Sequence, residues 1–152
     1  FRQEAIWQLL WEYSGILRSL PGSREWKRAD SSQWHDLNYP VITSGKAGHE
    51  ESFRNLLGDR YEELKDRMSL EFQVTEDTPR SFIWHTFEDQ TVLLDNTLLF
   101  VQALYKKGIP VEYHVFPQGP HGIGLANELT ANENGRGIAR AVNHGVSLQE
   151  NG

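Results

Sequence analysis

Two side chains stand where this sequence could do chemistry. Asp89 lies in the turn after the run Ser81 to His85 (SFIWH), within HTFEDQTV, and His121 lies in the loop after Val111 to Phe116, within PQGPHGIGL. A carboxylate bonded to one imidazole nitrogen fixes the ring's tautomer and stabilises its protonated form. The other nitrogen can then take a proton from a hydroxyl nucleophile. Gly119, Pro120 and Gly122 around His121 allow a tight turn that brings the ring back over the rim of a sheet. Taken singly, an Asp in a polar turn is ordinarily a turn residue, and a His in a Gly/Pro loop is ordinarily solvated. Together, each following a strand, the two point to a functional pair. Glu88 is a rival acid beside Asp89. His85, ending a buried run, reads as a hydrogen-bonded core histidine, and His114, alternating within VEYHVF, as a structural one. The histidines lack His-x3-His or carboxylate-paired spacing, so the pattern implies no metal site. No cofactor is implied either.

The pair needs elements that bring two loops to one rim. Ser81 to His85 is almost continuously apolar, as a strand buried on both faces is. Asp95 to Lys107 has helical periodicity, with Asp95 or Asn96 as N-cap and Leu98, Leu99, Val101, Leu104 and Tyr105 as inner face. Lys106 and Lys107 suit its negative end, and Gly108 stops it. Val111 to Phe116 alternates like a strand, so strand, helix and strand form a crossover unit on a parallel sheet. In such sheets ligands gather beyond the carboxyl ends of the strands, which is where Asp89 and His121 fall. Upstream, Tyr39 to Thr43 (YPVIT) reads as a strand end, residues 44–52 as a loop and Ser52 to Leu57 as a helix closed by Gly58. Arg60 to Met68 reads as one helix, wet on the side of Glu62, Glu63, Lys65, Asp66 and Arg67. Asp77-Thr78-Pro79 is a turn.

The chain has 152 residues, 38% hydrophobic and 24% charged, which describes one soluble globular domain rather than a disordered segment. A net charge of −6 argues against nucleic acid or an anionic membrane surface as partner. There is no cysteine, which excludes disulfides and thiolate-held zinc. No apolar run approaches the ~20 residues of a membrane span. Glu4, Trp7, Trp11 and Glu12 interrupt any signal-peptide core, and the start on Phe1 suggests a beginning further upstream. The compartment stays open, with the cytoplasm favoured, and the oligomeric state is undetermined.

The stretches YPVITSG, EDTPRSFIWHTFEDQTV, LLFVQALYKKGIPVEYHVFPQGPHGIGLA and NELT resemble the carbohydrate-esterase branch of the α/β-hydrolases, which holds acetyl and xylan esterases and feruloyl-esterase-like enzymes. The resemblance runs from about Asn38 to about Gly137. Asp before His is also the second half of that superfamily's Ser…Asp…His chain order. The resemblance implies Asp89 as triad acid and His121 as triad base. It implies a partial α/β-hydrolase fold, a mostly parallel sheet flanked by helices. The activity implied is serine-type hydrolysis of a carboxylic ester, with an acetylated carbohydrate or other small ester as substrate.

The family pattern also requires Gly-x-Ser-x-Gly upstream of YPV, and this sequence has none. Ser14-Gly15 and Ser44-Gly45 lack the elbow glycines. Residues 1–37 differ in texture from residues 38–137. They hold Trp7, Trp11, Trp26 and Trp34, an apolar stripe of Ile6, Leu9, Leu10, Ile16 and Leu17, and no consistent period from Gly22 to Asp36. Back-translated with a choice among synonymous codons and read from the third base, Phe1 to Ile16 gives SAGGHLAASVGVFWN, close to a serine elbow and its helix. Asp30 to Leu37 read from the second base yields IRPNGMIL, which continues into Tyr39-Pro40-Val41. Residues 1–37 thus read as a frame-shifted nucleophile-elbow region and 138–152 as an atypical tail, with 38–137 between them as the C-terminal part of the hydrolase domain. Sequencing error, gene-calling artefact and pseudogene are all compatible with this. The competing class is a non-catalytic α/β module or an inactive fragment. Distance separates the two: a hydrolase rim brings an Asp89 oxygen within about 2.6–3.2 Å of the His121 ring, and a module has no reason to.

Overall fold

In a computed structural model of the chain, residues 35–123 are described. The tryptophan-bearing stripe, the serine-elbow reading of Phe1 to Ile16 and the tail from 138 lie outside that span, and Asp30 to Leu37 overlaps it only at 35–37.

An apolar run needs cover on both faces, and Ser81–Thr86 has it: all six residues of this strand, β2, are buried. It is the middle strand of a three-stranded sheet, between β1 (His35–Asn38) and β3 (Val111–Phe116). Both neighbours run parallel to it, with Leu37 and Tyr113 on either side of Ile83. Helix α3 (Asp95–Lys106) makes the crossover from β2 to β3. Upstream lie α1 (Glu50–Leu57) and the single turn α2 (Tyr61–Leu64). The core joins Ile83 and Leu37 to Phe100 and Leu104 of α3 and to Met68 and Leu70. Each such side chain stabilises the fold by about 1.5–3 kcal/mol. Phe82 and Trp84 are fully buried but lie outside that cluster, on the opposite face by strand alternation. This is the parallel, helix-flanked α/β sheet expected of the sequence.

Several local expectations need correction. Tyr39–Thr43 is not strand: β1 ends at Asn38 and begins two residues inside the aperiodic stretch Gly22 to Asp36. Tyr39 has φ 41°, a left-handed conformation that no strand accommodates. Beyond it, the Ile42 and Thr43 amides donate to Asn96 Oδ1, at 3.0 and 3.1 Å, instead of to a ladder. Arg60–Met68 is not one α-helix. Its turns alternate as 3₁₀ at Gly58–Arg60, α at Tyr61–Leu64 and 3₁₀ at Lys65–Met68. The i,i+3 ion pairs Arg60–Glu63 and Lys65–Glu62 span the junctions, a spacing that 3₁₀ geometry eclipses. On α3 the inner face is Asn96, Thr97, Phe100 and Leu104. Leu98, Leu99 and Tyr105 are exposed, Tyr105 by 80%. Its N-cap is Leu94 rather than Asp95 or Asn96, because both of those carry helical geometry. Gly58 closes α1 at φ 54° as expected, returning its amide to Arg54 O.

Candidate active site

The site begins where β2 ends. Thr86, its last residue, accepts the Asp89 amide on its carbonyl at 3.3 Å, which starts the turn. Asp89 then folds under its own turn. Its Oδ1 accepts from the Thr91 and Val92 amides, both at 2.9 Å. This is the self-capping habit of Asp in turns, and it leaves Asp89 only 2% exposed. Bonds from donors to an ionised carboxylate contribute about 1.5–3 kcal/mol each, so the buried charge is held in place. Glu88, the rival acid, points into solvent.

The second loop is tied to the first by Thr86, whose hydroxyl donates to Gly119 O at 2.7 Å. Gly119 has φ 139°, and a Cβ there would sit 3.0 Å from Thr86 Cγ2. Only glycine lets the loop lie this close to the strand end. The loop returns His121 over the rim, where its Nδ1 lies 2.7 Å from Asp89 Oδ2. Because a carboxylate oxygen only accepts, Nδ1 carries the proton and Nε2 is the bare nitrogen of the neutral ring. Nε2 has no hydrogen-bond partner among the described residues, and the His121 side chain keeps 18% of its surface open. Tyr39 meets the imidazole edge to face at 4.7 Å and Trp84 at 5.0 Å. Its left-handed backbone, immediately before Pro40, is strained by about 1–3 kcal/mol.

His85 lies behind the acid, fully buried. Its Nε2 is 2.8 Å from Val92 O and 3.4 Å from Asp89 Oδ2, and its Nδ1 is 3.3 Å from Thr97 Oγ1. Burial pushes its pKa below the ordinary histidine value, against the opposing pull of Val92 O and Asp89. The expectation of a hydrogen-bonded core histidine describes this ring. His114 pairs with Glu112 at 2.8 Å, away from the dyad. Among the described residues no three His, Asp or Glu side chains are grouped as metal ligands would be. Ser44 is engaged by Ser69 Oγ at both its amide and its hydroxyl.

A family match fits this arrangement: residues 35–134 match the prolyl oligopeptidase family, a class of α/β-hydrolases. The chain belongs to the prolyl oligopeptidase family. Within the broader fold, it is similar to an acetyl ester-xyloside bifunctional hydrolase from Caldicellulosiruptor lactoaceticus, with 38% identity and a TM-score of 0.63 over 74% of this chain and 42% of that one. It is also similar to a sugar hydrolase from Lactococcus lactis, with 26% identity and a TM-score of 0.64 over 99% of this chain and 54% of that one. Endo-1,4-beta-xylanase B of Butyrivibrio fibrisolvens is 47% identical over 93 residues, 60% of this chain and 15% of the xylanase. This family member therefore spans about half or less of the proteins it resembles. The likeness to an acetyl ester-xyloside hydrolase agrees with the carbohydrate-esterase branch that the sequence resembles.

Sequence reasoning placed Asp89 and His121 on adjacent loops but missed Thr86, Thr97 and Tyr39 as their supports. Thr86 reaches Gly119 across 33 positions, and Thr97 reaches His85 across 12. Neither spacing has a local periodic signature. Tyr39 before Pro40 offered one signal, since the residue before proline is restricted in its backbone. Among the described residues no helix is long and apolar enough to cross a membrane.

Proposed function

We propose that this chain carries the acid and base of a serine-type carboxylic ester hydrolase, with Asp89 as triad acid and His121 as triad base. The observation that carries the reading is the 2.7 Å approach of Asp89 Oδ2 to His121 Nδ1, with Nε2 left unpartnered among the described residues. The acid is pinned by two backbone amides, so its second oxygen faces the ring without a side-chain search.

In this reading a serine hydroxyl attacks the ester carbonyl while Nε2 takes its proton. Asp89 stabilises the imidazolium that forms. Backbone N–H groups hold the developing oxyanion. The imidazolium returns its proton to the alcohol oxygen as the C–O bond breaks, leaving an acyl-serine. Water then repeats the sequence: Nε2 takes its proton, the hydroxyl adds to the acyl carbon, and the serine oxygen leaves protonated. The serine and the oxyanion donors belong to an elbow that the sequence lacks in Gly-x-Ser-x-Gly form. The proposal assigns that elbow to the frame-shifted reading of residues 1–37, which an uninterrupted source reading frame encoding Phe1 to Leu37 as they stand would refute. The substrate is an acetyl ester on a carbohydrate or a similar small ester. The similarity to an acetyl ester-xyloside hydrolase and to a xylanase supports that choice.

The test uses the full-length reading frame with the frame restored. Acetylated xylo-oligosaccharides and p-nitrophenyl acetate should both be hydrolysed, and His121→Ala should lower kcat by about 10³-fold or more. Turnover that survives His121→Ala would overturn the reading, and an inert protein with an intact dyad would favour a binding module.

A further inference from the structure

His85 takes no part in the proposed ester hydrolysis, yet it faces the same oxygen as the catalytic imidazole. A carbonyl only accepts, so the 2.8 Å bond to Val92 O requires His85 to be protonated at Nε2. The same Nε2 lies 3.4 Å from Asp89 Oδ2, while His121 Nδ1 lies 2.7 Å from that oxygen. The connections close on themselves. The Val92 amide donates to Asp89 Oδ1, and the Val92 carbonyl accepts from the ring that stands behind Asp89 Oδ2. The ring cannot turn away easily. It is fully buried, and its bare Nδ1 accepts the one proton of Thr97 Oγ1, which in turn accepts from Tyr113 Oη at 2.7 Å. A packed aliphatic residue would fill the space but leave the Val92 carbonyl without this donor.

We propose that His85 is a positioning residue of the acid–base pair: a neutral, Nε2-protonated imidazole that locks the Asp89 turn through the Val92 carbonyl and packs behind Oδ2, so that the carboxylate stays aimed at His121. The inference rests on the proposed role of Asp89 and His121. Its chemistry involves no transfer: the His85 proton stays on Nε2, and only His121 exchanges a proton with the reacting groups. A tyrosine-backed threonine thus fixes one histidine, which fixes the acid, which fixes the second histidine.

The test is imidazole NMR on the full chain, which needs no turnover. In the unaltered chain His85 should show the neutral Nε2–H tautomer, and His121 should show a downfield, slowly exchanging Nδ1–H. His85→Phe should speed exchange of the His121 Nδ1–H by about three- to tenfold, the equivalent of one lost neutral hydrogen bond. His85→Gln, which keeps a donor of similar reach, should hold it within about twofold of the unaltered chain. Protected β2–β3 amides serve as the control for folding. A folded His85→Phe whose His121 signal is unchanged overturns the inference but leaves the dyad intact. An unaltered chain without the His121 Nδ1–H signal overturns the dyad and this inference with it. Should His85→Phe fail to fold, the tautomer and His85→Gln decide: a Nδ1–H tautomer at His85, or a signal lost in folded His85→Gln, refutes the proposal.

Discussion

Asp89→Ala and Asp89→Asn should separate what Asp89 does for the fold from what it does for His121. Oδ1 serves the Thr91 and Val92 amides, while Oδ2 serves His121 and lies near His85. Alanine removes both oxygens. The Val92 amide, in a buried bond, then costs about 1–3 kcal/mol as an orphan donor, and the part-exposed Thr91 amide costs less. The expected loss is about 2–4 kcal/mol, or roughly 6–12 °C in Tm for a loss near the middle of that range. Asparagine keeps Oδ1, so the turn survives and the loss should be less than half as large. Its Nδ2, however, meets two N–H groups where an acceptor stood. The His121 ring must then move its proton to Nε2, the nitrogen that has to be bare. In a complete hydrolase such a tautomer change lowers kcat by about 10⁴-fold. Urea denaturation of both variants, with imidazole ¹⁵N shifts for the tautomer, measures each part. Equal destabilisation by the two variants, or a His121 ring still protonated at Nδ1 in Asp89→Asn, would refute the division of labour between the oxygens.

The geometry implies four other outcomes. Asn96→Ala should cost about 2–4 kcal/mol in urea denaturation, because the buried amide bonds Ile42 N, Thr43 N, Ala47 O and Leu93 O. Phe100→Ala, at a fully buried position of α3, should cost about 3–5 kcal/mol by the same measurement. Burial lowers the His85 pKa in the fold, so below about 6.5 the unfolded chain binds a proton that the folded chain refuses. Stability should therefore fall as pH drops from 7 toward 5, by up to about 1.4 kcal/mol per unit from this group, and unfolding curves of His85→Gln should be flatter over that window. The 152-residue chain alone should hydrolyse p-nitrophenyl acetate no faster than background, and robust turnover abolished by His121→Ala would contradict the missing-nucleophile reading.

The legible parts of the molecule were those where one constraint dominates. SFIWH is almost continuously apolar, the pattern of a strand covered on both faces, so β2 could be read directly. Gly58 and Gly108 adopt positive φ after helices, as their positions implied. The misread parts were those where two constraints compete. Helix α3 carries apolar residues on more than one side, and periodicity favoured the stripe with more of them. What turned the helix was polar: Asn96 seats itself on the Ile42 and Thr43 amides, and Thr97 on His85. These bonds bury the Asn96–Thr97 side and leave Leu98 and Tyr105 outside. Likewise YPVIT has strand composition, but the left-handed Tyr39 ends the ladder and Asn96 supplies the acceptor that a neighbouring strand would have offered.

The proposed acid and base can be intact in a chain that spans about half or less of its relatives, because their supports are local. Nearly every contact that aims Asp89 at His121 comes from residues 85–121: the Thr91 and Val92 amides, the His85 ring, the Thr97 hydroxyl and the Thr86–Gly119 tie. Tyr39 is the exception, and it touches the ring from outside rather than setting the carboxylate. A nucleophile elbow, by contrast, sits on a different strand, and its position relative to His121 depends on how that strand is placed in the sheet. The proposed acid–base half of the site is therefore a local property of one strand–helix–strand unit, whereas the distance from Nε2 to a serine would be a property of the whole sheet. Changes within residues 85–121 should act on the tautomer of His121, and changes at the β1 edge should act on the approach of the nucleophile while leaving that tautomer alone.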